Sequence, residues 1–119
     1  KVSGMGALTT YTEFIGSEVK YLYWGDIDRA GLNIYLSAVR ANPNINIKLF
    51  VRAYEEMLRL AQTKNIPDSD DERNRIEDYS QIFGLVDQNL RTIFEQSIQN
   101  NKRIPQEIIT YAFLKENMR

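Results

Sequence analysis

Apolar positions change their spacing several times along these 119 residues, and each change marks an element. Leu8, Tyr11 and Ile15 recur at near-helical intervals, which predicts a short helix from Ala7 to Ile15, closed by Gly16 and Ser17. "KYLYW", residues 20–24, is dense and aromatic, the composition of a strand buried on both faces. Leu32, Tyr35, Leu36 and Val39 then repeat at i, i+3, i+4 and i+7, one apolar stripe of a helix. "ANPN" breaks that stripe, because asparagine and proline favour a turn. "INIKLFV" alternates and reads as a second strand, and Tyr54, Met57, Leu58 and Ala61 give the next helical stripe. A polar, acidic stretch, "TKNIPDSDDERNRIEDYS", predicts a loop running into a helix. Leu90, Ile93, Phe94 and Ile98 mark a further helix, and so do Ile108, Ile109, Ala112 and Phe113, with Pro105 near its first turn.

The order helix, strand, helix, strand, helix implies an α/β fold with a parallel sheet and right-handed crossovers. Residues 1–65 are expected to form this α/β part, and residues 66–119 a mainly helical extension packed on it within one domain. A hydrophobic fraction of 43% with 26% charged residues argues against disorder. No apolar run reaches the length of a membrane span, and the expectation is a cytoplasmic protein with no membrane partner. The formal net charge of −1 excludes a general polycation, so any nucleic acid must be held by a local patch, a metal or a partner. The chain has neither cysteine nor histidine. Disulfides, thiolate-held zinc and histidine-based triads are therefore excluded, and catalysis must rest on carboxylates, lysine, arginine, tyrosine or a bound metal.

One stretch carries candidate chemistry, "YLYWGDIDRAGLNIY". Asp26 and Asp28 fall where a buried strand should end, the usual ligand position in parallel α/β folds. Residues two apart on extended backbone point the same way, so both carboxylates can face one point. Close carboxylates repel unless a cation or proton lies between them, and magnesium suits such a pair. Gly25 and Gly31 flank the pair and permit close backbone approach. A plainer reading uses the same residues: Asp28 caps the helix starting at Arg29, and Asp26 accepts hydrogen bonds in the turn. D-x-D after a strand also occurs in haloacid-dehalogenase phosphatases, which usually carry Thr or Val where Ala30 stands, and in metal-dependent glycosyltransferases.

The longer string "YLYWGDIDRAGLNI" resembles the second acidic motif of TOPRIM domains, the metal-binding folds of topoisomerases, primases and some nucleases. More narrowly, it is similar to the C-terminal domain of the Wadjet JetD family, the nuclease subunit of a bacterial anti-plasmid defence system. Gly25, Asp26, Ile27, Asp28, Gly31 and Ile34 fit that pattern, and "SGMGAL", "LFVRAYEEML" and "RIPQEIITYAFL" resemble flanking parts of the family. The resemblance implies metal-dependent cleavage of double-stranded plasmid DNA, with Asp26 and Asp28 as catalytic residues holding Mg2+ or Mn2+. Glu107, in "PQEI", matches an acidic position of the family's late helix and is a further candidate ligand; an exposed glutamate favoured by the helix dipole is the plainer account. The implied partners are DNA and an SMC-like protein complex, with a homodimer also compatible. TOPRIM nucleases place a glutamate at the end of an earlier strand, and this chain is expected to be a fragment that starts too late to contain it. A catalytically silent interaction domain is the alternative.

Arg29, Arg40 and Lys48 are candidate phosphate contacts, although isolated surface cations usually do nothing specific. Glu13 and Glu18 are poor substitutes for the earlier glutamate, Glu18 falling before the strand at the wrong end of the sheet. Asp68, Asp70, Asp71 and Glu72 resemble a calcium loop only superficially, since Arg73 and Tyr79 stand where an EF-hand needs glycine and glutamate. The seven tyrosines are read as core packing, and Trp24 as core or pocket wall.

Overall fold

The computed structural model describes residues 10–15, 18–70, 75–109, 113 and 116, with side chains from residue 20 onward. Three strands form one sheet in the order β1 (Thr10–Ile15), β2 (Glu18–Tyr23), β3 (Asn46–Leu49). The α/β expectation holds. β2 and β3 run parallel, Tyr21 opposite Ile47 and Tyr23 opposite Leu49, joined through helix α1 (Arg29–Ala41). β1 departs from the expected helix: its described residues are extended and pair antiparallel with β2, Thr10 opposite Tyr23 and Ile15 opposite Glu18. "TYTEFI" is rich in β-branched and aromatic residues, and pairing with a hydrophobic neighbour strand outweighs a helical spacing carried by three residues. The remainder of that expected helix, residues 7–9, lies outside the described residues.

The second strand is shorter than "INIKLFV". The Phe50 amide donates to the Tyr23 carbonyl at 2.9 Å, and the chain then turns directly into α2 (Val51–Ala61). The acidic stretch is a loop of turns and irregular backbone where described, as expected, and leads into the single turn α3 (Ser80–Phe83), followed by α4 (Gln88–Gln99), which Asp87 caps by accepting from the Asn89 amide at 2.9 Å. The helix expected over Ile108–Phe113 starts instead as a 3-10 turn, Gln106–Ile108, after which Ile109 is extended. Pro105 fixes that entry. Residues 110–112 of that expectation lie outside the described residues, and Phe113 is helical.

Both halves share one core. Leu22, Tyr23, Leu32, Tyr54 and Met57 pack with Ile82, Phe94 and Ile104. Tyr54 and Phe94 meet at 6.4 Å between ring centroids, and Phe83 packs edge-on against Phe94 at 4.9 Å. Two isolated antiparallel bridges tie the late chain to the rest, Ile27 with Ile104 and Asp68 with Lys102. The first lays residues 103–106 directly beside the D-x-D segment.

Candidate functional site

The D-x-D segment leaves the carboxyl end of β2 still extended. Ile27 is fully buried between its two flanking aspartates, and its amide and carbonyl bond the Ile104 carbonyl and amide at 2.9 and 3.0 Å. Period-two alternation therefore sends Ile27 inward and both aspartates to the other side, where they line one pocket of about 220 Å³ with Tyr23, Gly31, Ile34 and Glu107. This convergence matches the sequence reading.

Each carboxylate also has a partner within the protein. Asp28 is the N-cap of α1: its backbone is extended, and its Oδ1 accepts from the Gly31 amide at 2.6 Å. The capping reading and the pocket reading are thus both satisfied by one side chain. Asp26 accepts from Arg103 Nε at 2.9 Å and from the Gln106 amide at 2.8 Å. Neither group carries a local sequence signal, because each lies more than seventy residues away and arrives only through the Ile27–Ile104 bridge.

Burial pushes the Asp28 carboxyl above its ordinary value; the Gly31 amide opposes this, Asp26 adds to it, and Arg103 opposes it. Burial, and then Asp28 and Asp26, push the Tyr23 hydroxyl far up, so it remains a donor. It donates to the Gly31 carbonyl at 2.8 Å. Gly31 is required by sterics: a Cβ there would lie 2.3 Å from the Asp26 carbonyl oxygen and 3.0 Å from Asp28 Oδ1. At Gly25 a Cβ would meet the Tyr23 hydroxyl at 2.7 Å.

The other candidates separate. Glu107 is exposed on the same pocket's wall. Arg29 turns away: its Nε and Nη2 donate to the Ile98 and Gln99 carbonyls, both at 2.9 Å, satisfying the end of α4. Arg40 and Lys48 do come together, but on a groove of about 600 Å³ that shares no wall residue with the aspartate pocket. Asp68 pairs with Lys102 at 2.6 Å and is solvated.

Two carboxylates on one pocket are hard oxygen donors of the kind Mg2+ or Mn2+ accepts beside water and phosphate, and a carboxyl disfavoured by burial and a like-charged neighbour gains from such an ion. The pair fits as a partial ligand set. Among the described residues, no group of three or more acidic side chains converges on one point.

A family model described as Wadjet protein JetD, C-terminal, matches residues 3–118. No curated protein and no solved structure matches the chain.

Proposed function

We propose, from the premise that this chain belongs to the Wadjet JetD C-terminal family, that it is the metal-dependent DNA-cleaving domain of an anti-plasmid defence protein. The observation that carries the reading is the convergence of Asp26 and Asp28 on one pocket at the carboxyl end of the central strand. Asp26 and Asp28 would hold Mg2+ or Mn2+, with Glu107 at the rim. The ion, when bound, would activate water and neutralise charge developing on the phosphate. The chain's own contribution is positional. The Gly31 amide fixes Asp28, Arg103 and the Gln106 amide fix Asp26, and Tyr23 locks the first turn of α1 from below. A TOPRIM-like glutamate ending an earlier strand would complete the ligand set in the intact protein. Double-stranded plasmid DNA is the proposed substrate, and an SMC-like complex the proposed partner.

Arg103 favours a second reading. It already neutralises Asp26, and an interaction domain that keeps the fold for assembly needs no more than that. The intact protein, incubated with supercoiled plasmid and Mn2+, separates the two. Chelator-sensitive nicking that disappears in a folded Asp26→Asn/Asp28→Asn variant is expected. Undiminished nicking by that variant would remove the aspartates from the reaction. Absence of nicking by the wild type, with retained binding to its partner complex, would establish the second reading.

A further inference from the structure

A second cavity, about 330 Å³, adjoins the aspartate pocket, with Glu107 on the wall of both. It lies between the end of α2 and residues 103–108. Its walls are mostly apolar, Ile66, Ile104 and Ile108 among them, and two cations line it, Lys64 and Arg103. Lys64 is exposed and carries no ion pair among the described residues. Arg103 gives Nε to Asp26, which orients the guanidinium, and the described hydrogen bonds leave its two terminal nitrogens for another acceptor. An apolar hollow edged by an oriented guanidinium and an ammonium matches a ligand with an apolar body and an anionic end. The guanidinium fork suits phosphate oxygens in particular.

We propose that this cavity holds the nucleotide flanking the scissile phosphate, with Arg103 and Lys64 on its phosphate and the apolar walls against its sugar and base. The proposal rests on the nuclease reading for what lies next door, but the cavity has its own residues. Its charge balance adds a condition. Glu107 lines this cavity, and Asp26 and Asp28 line the adjoining pocket, so three carboxylates against Lys64 and Arg103 leave the metal-free neighbourhood one negative charge in excess, and one divalent ion reverses the sign. Nucleotide binding here is therefore metal-dependent.

The test is fluorescence anisotropy of the full chain with fluorescein-labelled tetrathymidylate, with and without Ca2+, an ion that binds carboxylates and phosphate. Lys64→Glu and Arg103→Lys should each weaken calcium-supported binding about tenfold, the loss expected of one charge-assisted phosphate contact. Lys64→Glu should also lower the salt slope by about 0.7, whereas Arg103→Lys keeps its charge and should leave the slope nearly unchanged. Arg52→Glu makes the same charge change as Lys64→Glu at an exposed α2 position that lines neither cavity, and should weaken binding less than about twofold, as screened distant charge does. Lys64 decides, because its exposure makes misfolding no explanation; thermal melts accompany Arg103→Lys. Equal losses for Lys64→Glu and Arg52→Glu, or no binding by wild type at millimolar probe, would overturn the proposal. If Ca2+ raises affinity and Lys64→Glu changes nothing, the cavity assignment fails while the metal reading stands. If Lys64→Glu weakens binding that Ca2+ never affects, the cavity stands and the metal reading fails.

Discussion

At Asp28 one carboxylate serves as helix cap and faces a second carboxylate across a pocket, and substitution can separate these demands. Asparagine caps helices as well as aspartate does, whereas alanine costs about 1 kcal/mol. The folded-state pKa of Asp28 lies above its ordinary 3.8. The folded protein therefore holds this proton more tightly than the unfolded chain, and the side chain's contribution to stability falls as pH rises from 3.8 through the raised value. With a chelator present, wild type and Asp28→Asn should melt together near about pH 3, and the variant should melt higher at about pH 7. Asp28→Ala should melt lower than both at either pH. Added Mn2+ should narrow the gap at neutral pH by stabilising wild type alone; a gap that ignores Mn2+ would mean Asp28 binds no ion. Gly31→Ala is a different kind of change. Its methyl group would collide with backbone rather than with a movable side chain, and a loss of about 3 kcal/mol or more in urea unfolding is expected. The role of Asp28 was legible because capping and D-x-D geometry are both local. Arg103 was not, since nothing near "KRIPQE" signals a carboxylate brought from the other end of the chain.

Among the elements, α1, α2 and α4 were readable from stripes of four apolar residues each, enough to fix the type of all three and the buried face of α2 and α4; in α1 the stripe drifts, with Leu32 buried and Val39 exposed. β1 was not. Leu8, Tyr11 and Ile15 fit a helix, but Thr10, Tyr11, Thr12, Phe14 and Ile15 are strand formers, and composition should have outweighed a sparse period. The late helix is shifted at its start: Phe113 is helical, but Ile108 and Ile109 precede it in a 3-10 turn and in extended backbone. Ile109 belongs to the expected stripe yet is buried through extended backbone, so apolar density alone does not report period. Arg29 shows how elements lock together. Its guanidinium closes the C-terminal end of α4 from the first turn of α1, so the start of the helix that presents Asp28 is held by a helix from the other half. Arg29→Ala should lower stability by about 1–2 kcal/mol by freeing two carbonyls and removing the packed stem. Arg29→Lys should recover only part, since an ammonium cannot reproduce the two-point fork. Urea midpoints for the three proteins check this; full recovery by lysine would reduce the contact to charge alone.

Over the whole molecule, the site depends on two halves that share a core. The D-x-D segment belongs to the α/β half, while Arg103, Gln106 and Glu107 belong to the late chain, and they meet because Ile27 and Ile104 bridge over a core in which Tyr54 touches Phe94. A pocket built in this way exists only while both halves are folded together, which predicts cooperative unfolding. Trp24, the single tryptophan, is buried immediately before the D-x-D and reports on the α/β half, whereas far-ultraviolet circular dichroism weights the helices, α4 included. Their urea transitions should coincide. Phe94 is fully buried and packs on both Tyr54 and Phe83, so Phe94→Ala should cost about 3–5 kcal/mol and move both transitions by the same amount. It should also weaken Mn2+ binding at concentrations of urea where wild type remains folded, because the ring holds α4, and with it the Arg29 contact, against the half that carries Asp26 and Asp28. A tryptophan transition unmoved by Phe94→Ala would mean that the α/β half folds without the late chain, and the aspartates would then need neither Arg103 nor Gln106 to stay in place.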